Sequence, residues 1–274
     1  MTAPVSVQEA AYRCILIQDI EEKISETNRW TSEFGAEPLR QCEDDYPVLQ
    51  ISSPGRPQRL KLVHPTKVPR RGWGSKEGHA AFIHALAHIE FNAINLAWDA
   101  VYRFRGHPDP FYLDWMRVAR EECYHFSLLN TYLGSLGHRY GDFEAHDGLW
   151  DMAQQTVDSV LNRMALVPRV LEARGLDVTP GMIKRLKTNG YTRAAEILEI
   201  IYQDEIGHVE IGTRWYRYHC ELQGLDAVRT FKDLISAFAL EKIRPPLNRP
   251  ARNQAGFLEA ELDYLSGLLE SESK

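Results

Sequence analysis

Two stretches of the chain share the pattern Glu-x-x-His, Glu122-Cys-Tyr-His125 and Glu205-Ile-Gly-His208, and a single glutamate precedes each at nearly the same distance. Glu90 lies 32 residues before Glu122, and Glu172 lies 33 before Glu205. With 23 Glu and 10 His in 274 residues, chance alone supplies about 0.8 such pairs. The weight therefore rests on their setting, which is helical in every case. On a helix, residues three apart sit roughly 60° apart around the axis and about 4.5 Å along it, so both side chains reach one ion. Two helical hairpins in series, each carrying Glu and then Glu-x-x-His, bring four carboxylates and two imidazoles to the centre of one bundle.

The rest of the chain fits that frame. Residues 75–104 contain no proline, and their apolar positions repeat at three and four, the mark of an amphipathic helix. A second helical pattern runs from Pro110 to Leu136, where Gly137 ends it, and 137–148 reads as a loop. A third runs from Leu149 to Arg174, closed by Gly175 and followed by a short connecting helix capped by Asp177 to Pro180. Tyr191 to Leu222 is the fourth, and further helices are expected over 225–240 and from Leu258 to Leu269, with Pro245, Pro246 and Pro250 breaking the chain between them. Residues 5–35 look weakly helical. Residues 36–74, with six prolines, read as an extended arm in which only Val48 to Ser52 alternates like a strand. The expectation is an all-α protein: an N-terminal helix and arm (1–74), a four-helix bundle (75–223) and a C-terminal helical extension (224–274).

Charge and composition narrow the function. A net charge of -6 provides no global positive field for nucleic acid or an anionic membrane. The basic cluster Arg56, Arg59, Lys61, Lys67, Arg70 and Arg71 in the arm reads as a solvated surface or a phosphate contact. The most apolar stretch, Ala80 to Val101, contains His84, His88, Glu90, Asn92, Asn95 and Asp99, so it is expected to be a buried helix rather than a membrane span. Residues 1–14 lack the features of a secretory signal, and the four cysteines are scattered without a Cys-x-x-Cys pair, which suggests reduced thiols and the cytoplasm.

The helical faces place the glutamates inside. Glu90 shares its face with Ile83, Leu86, Ala87, Ile94 and Ala97, and Glu205 shares one with Leu198, Ile201, His208 and Gly212. Buried carboxylates without compensation cost several kcal/mol each or take up protons, whereas two divalent ions neutralise four of them. The plainer alternative is a buried hydrogen-bonded Glu/His network. His84 and His88 lie on the face away from Glu90 and read as packing or hydrogen-bonding groups. Cys123 is expected to pack between helices, and Pro168 to bend the third helix beside Glu172. Tyr202, one turn before Glu205, and Tyr124 are either core aromatics or partners in electron or proton exchange with the site.

This spacing resembles that of the ferritin-like superfamily of di-iron and di-manganese carboxylate proteins. More narrowly, the runs His88-Ile-Glu90, Arg120-Glu-Glu122, His125-Phe, His146-Asp-Gly-Leu-Trp150, Arg163 to Glu172 and Asp204-Glu-Ile-Gly-His208 resemble the bacterial domain-of-unknown-function family 455 over about residues 54–265. The resemblance implies a ferritin-like four-helix bundle in which Glu90, Glu122 and His125 serve one half of the site and Glu172, Glu205 and His208 the other, with Glu122 and Glu205 bridging. It also implies that the acids before the paired glutamates, Glu121 and Asp204, receive the free imidazole proton of a ligand histidine. An exposed helix charge is the alternative for both.

Mixed carboxylate and imidazole donors suit iron(II), the expected occupant, or manganese(II). The resemblance implies a reduced pair that meets dioxygen and oxidises or hydroxylates a bound substrate, small or nucleoside-like, with electrons from a separate donor. Bacterial transfer-RNA hydroxylases are the functionally understood proteins that it resembles, and transfer RNA is the one nucleic acid this leaves open. Two other readings stand beside the oxidoreductase: a ferroxidase or peroxide-scavenging, iron-handling protein without an organic substrate, and a binding protein whose metals only hold the bundle together.

Overall fold

A computed structural model describes residues 5–36, 38–42, 47–69, 71, 72 and 74–271. Arg70 of the basic cluster lies outside them. Backbone contacts divide the chain into two compact units, Met1–Gln154 and Gln155–Lys274. Among the described residues both are α-helical, and the sole β pairing is one isolated parallel bridge, Leu62 with Ala145. None of these helices is long and apolar enough to cross a membrane.

The first unit is built on α1 (Val7–Leu16), α2 (Ile20–Glu33), α3 (Lys76–Arg103), α4 (Asp109–Ser135) and α5 (Gly148–Gln155). Side chains that accept a free N–H of the first turn start three of them: Ser6 for α1, Asp19 for α2 and Ser75 for α3. Gly137 stops α4 as expected, with a φ of 80° that other residues adopt only at a cost. From Glu90 to Arg103 every residue of α3 is buried, so its polar groups must find partners inside. Asp99 holds Arg103 through three hydrogen bonds of 2.7–3.1 Å one turn away, and Trp98 donates to Thr27 at 3.0 Å. Asn95 accepts from the fully buried Lys23 at 2.7 Å.

Lys23 also donates to the carbonyls of Cys14 (2.7 Å) and Ile15 (3.1 Å), two of the carbonyls that α1 leaves open at its C-terminus. One amine thus ties α1 and α2 to α3. Burial pulls its pKa down to about 7 from 10.5. The folded protein then sheds this proton near pH 7 while the unfolded chain keeps it to 10.5, so the unfolded state binds more protons in that window and stability rises with pH across it. Lys23→Met should flatten that rise; denaturant titrations of both proteins at pH 7 and pH 9.5 measure it, and an unchanged slope refutes it.

The arm departs from expectation at Val48 to Ser52, which pairs with no strand among the described residues. Side chains take its backbone groups instead. Leu49 donates to the Tyr102 hydroxyl (2.7 Å), Ile51 accepts from Gln154 (3.0 Å) and Ser52 accepts from Trp150 (3.2 Å). Gly55 then passes so close to α1 that a Cβ would sit 2.3 Å from the carbonyl oxygens of Leu16 and Ile17. The basic residues of the arm meet an acidic loop: Arg56 pairs with Asp147, Arg59 with Asp142, and both Lys61 and Arg71 with Glu144. Arg56 is thereby buried and Arg71 largely covered, whereas Arg59 and Lys61 keep 48% and 71% of their side chains in solvent, as a solvated surface implies.

The second unit contains α6 (Val160–Leu166), α7 (Ala173–Thr188), α8 (Thr192–Leu222), α9 (Ala227–Leu234), α10 (Arg249–Gln254) and α11 (Glu259–Ser271). The single helix expected from Leu149 to Arg174 is in fact broken. α5 ends at Gln155, Ser159 caps α6, and a π-helical turn, Val167–Glu172, joins α6 to α7. Gly175 and Pro180, read from the sequence as a stop and a new start, both lie inside α7. Proline at 180 leaves the Leu176 carbonyl without its usual donor, and the Asn248 side chain, 72 residues later, supplies one at 3.0 Å. Pro250 opens α10 rather than breaking the chain, its absent N–H falling in a first turn where none is needed.

Buried arginines fasten the C-terminal segment. Arg252 grips Asp177 with two hydrogen bonds, 2.7 and 2.9 Å. Arg169 lies wholly buried among the rings of Tyr216, Phe231 and Phe257, whose centroids are 4.2–4.5 Å from its guanidinium carbon, and donates to Glu261 at 2.7 Å.

Candidate metal centre

In the first unit the structure brings together three of the expected ligands. Glu90 comes from α3, and Glu122 and His125 come from adjacent turns of α4; their exposures are 4%, 1% and 0%. The His125 Nδ1 atom is 3.3 Å from a Glu90 carboxylate oxygen and 3.4 Å from one of Glu122. All three residues offer a ligand atom within 4.8 Å of the others. Phe91 and Phe126, next in sequence to Glu90 and His125, pack edge to face at 5.2 Å and both lie against Tyr140.

Electrostatics make this trio costly in its metal-free form. Burial, and after it the charge of Glu122, raises the Glu90 pKa well above 4.5. For His125 burial acts against protonation, yet the Glu122 and Glu90 carboxylates outweigh it and lift the imidazole to about 11. Both shifts favour protonation, and a cation at this place would offset the same buried negative charge. Two carboxylate oxygens and one imidazole nitrogen are a donor set for a divalent ion of the first transition row, and the residues present fit such an ion.

The second unit holds the other expected ligands. Glu205 and His208 stand one turn apart on α8, with His208 Nδ1 3.8 Å from a Glu205 oxygen; His208 is fully buried and Glu205 half-buried. Glu172 is the last residue of the π turn, which packs against α8.

The neighbours of these residues fall out as follows. Glu121 is half-buried and accepts from Arg117 at 2.9 Å along α4. Asp204 is half-buried on α8. The Tyr202 hydroxyl accepts from Asn248 at 3.1 Å, anchoring the C-terminal segment. Tyr124 is 52% exposed and is therefore no core aromatic. Cys123 is a buried free thiol whose pKa burial pushes up to about 12. His88 donates from Nε2 to the His146 carbonyl (2.9 Å), which leaves Nδ1 to accept from the Tyr140 hydroxyl (2.7 Å), while His84 accepts from the Gly141 N–H. Burial pulls the pKa of each histidine down to about 4, and both serve as packed hydrogen-bonding groups.

Sequence reasoning missed Lys23 and Arg169. Neither has a local signature, since each reaches its partners through long-range contacts.

The chain is 48% identical over 231 residues to an uncharacterized protein of Haemophilus influenzae, an alignment that covers 81% of this chain and 80% of that one. No solved structure matches it. The model of one family, described as "Protein of unknown function (DUF455)", matches residues 16–263, and the chain belongs to that family.

Proposed function

We propose that this chain is a dinuclear metal protein of the ferritin-like kind, holding two iron ions and using dioxygen to oxidise or hydroxylate a small or nucleoside-like substrate with electrons from an external donor. The observation that carries the reading is the buried Glu90, Glu122 and His125 trio, whose burial makes physical sense with a divalent cation in place of protons. Glu172, Glu205 and His208 repeat the same residue types at nearly the same spacing and would hold the second ion. When bound, the reduced pair supplies electrons and open coordination positions for dioxygen. The protein's own part is to fix the donors on rigid helices and to keep water away with neighbours such as Ile83, Ala87, Phe91 and Phe126, all fully buried. Four free thiols suit the cytoplasm, to which we assign the protein.

Metal analysis of protein from iron-supplemented cells is expected to give two ions per chain, and the reduced protein a transient absorbance change on mixing with oxygen. Glu205→Ala should lower the metal content. Unchanged content in that variant would refute the ligand assignment, and accumulation of many ferric ions per chain would favour iron handling over substrate oxidation.

A further inference from the structure

We propose that the π turn Val167–Glu172 sets the direction of Glu172, and that Pro168, Gly212 and Arg169 are positioning residues for it. The inference rests on the reading of Glu172 as a metal ligand. Pro168 has no N–H, so the carbonyl of Met164 has no donor four residues on. The chain answers with a wider turn: Ala173 donates to Pro168, five residues back, before α-helix resumes. One extra residue in a helical turn rotates everything beyond it by about 100° relative to an uninterrupted α-helix. The face on which Glu172 emerges therefore depends on this turn.

Two devices hold the turn in place. On one side the Pro168 ring rests on Gly212, where a Cβ would lie 2.3 Å from Cγ and 2.4 Å from Cβ of the proline. Gly212 stands four residues after His208, on the same face of α8. On the other side the Arg169 guanidinium sits in its cage of Tyr216, Phe231 and Phe257, bonded to Glu261, while its Nε donates to Thr213 at 3.3 Å. Glu172 follows three residues later. The extension after α8 thus acts as a clamp on the turn.

A merely structural turn and a positioning turn respond oppositely to Pro168→Ala. Alanine restores the missing donor and lets the turn relax locally about Glu172, while the Arg169 cage and the Arg252–Asp177 pair hold the flanking helices, so the metal-free melting temperature should stay close to that of the wild type. If the turn positions Glu172, the same variant should bind one of its two ions about 10–100-fold more weakly. The experiment is anaerobic titration with manganese(II), reading the free ion by electron paramagnetic resonance, alongside metal-free melting curves, for the full-length wild type, Pro168→Ala and Gly212→Ala. The expected result is two ions in the wild type and one weakened site in both variants; if Gly212→Ala does not fold, Pro168→Ala decides. Wild-type affinity at both sites in Pro168→Ala overturns the inference and leaves the metal reading standing. Weaker binding that merely accompanies a lower melting temperature also overturns it. Fewer than two ions in the wild type removes the metal reading, and this inference with it.

Discussion

Arg169→Met is expected to destabilise the second unit by roughly 3–5 kcal/mol, because it leaves the carboxylate of Glu261 buried without its cation. Methionine fills much of the volume among Tyr216, Phe231 and Phe257, so the loss comes chiefly from the stranded charge rather than from a cavity. The same reasoning fixes the sign of a second change. Glu261 also accepts the Leu258 N–H at 2.9 Å, a bond that glutamine preserves. The double variant Arg169→Met, Glu261→Gln should therefore recover most of the loss. Urea unfolding of the wild type, both single variants and the double gives the coupling energy directly. A cost below about 1 kcal/mol for Arg169→Met, the range of an exposed pair, or a double variant no more stable than it, contradicts this account.

Glu90→Gln separates what the trio does with metal from what it does without. In the metal-free protein burial and the charge of Glu122 raise the Glu90 pKa well above 4.5, which favours its neutral form, and glutamine mimics that form. Metal-free melting at pH 7 should therefore not fall. With metal present the two proteins diverge. At a free-ion concentration a hundredfold above Kd, the ion that Glu90 helps to hold stabilises the wild type by about 2.7 kcal/mol, or roughly 5–10 °C in a chain of this length. The variant should lose most of that shift, and calorimetry with and without manganese(II) measures it; equal shifts in both proteins would remove Glu90 from the ligand set. The pH dependence follows from the same raised pKa. Above pH 4.5 the unfolded chain ionises this carboxyl while the folded protein keeps it neutral, so the unfolded state binds fewer protons and metal-free stability declines as pH rises. Glu90→Gln should remove that part of the decline. Because the ion displaces protons, binding should tighten with rising pH in the wild type.

These features were unequally legible in the amino-acid order. α3, α4 and α8 are long and strongly periodic, with local stops and starts at Ser75 and Gly137, and each begins and ends within about two residues of its expected limits. Glu122 and His125 were readable because three-residue spacing on one helix is a local property, and Glu90 because its helical face is apolar. Over 156–188 the helical character was readable, but the places where the helix breaks and resumes were not. A glycine costs a helix interior only about 1 kcal/mol, so Gly175 need not end one, and the proline at 180 is tolerated through a hydrogen bond from Asn248 that no local window contains. Val48 to Ser52 failed for a similar reason, since tertiary side chains replace the partner strand that alternation implies. Buried cations such as Lys23 and Arg169 carry the same letters as exposed ones, and only packing distinguishes them.

The arm of the first unit has a property that its helices lack. Between Arg59 and Arg71 it is tied to the loop around Glu144 by the two backbone hydrogen bonds of the Leu62–Ala145 bridge and, around them, by partly solvated opposite charges, with the Lys61 side chain 71% exposed. Attraction of that sort fades as the Debye length shrinks from about 10 Å at 0.1 M salt to about 3 Å at 1 M, whereas the dry contacts between α3 and α4 hardly respond. Concentrated electrolyte should thus strip the charged fringe from this one segment and leave it hanging on the two backbone hydrogen bonds of its bridge, while the helical scaffold beneath it stays shut.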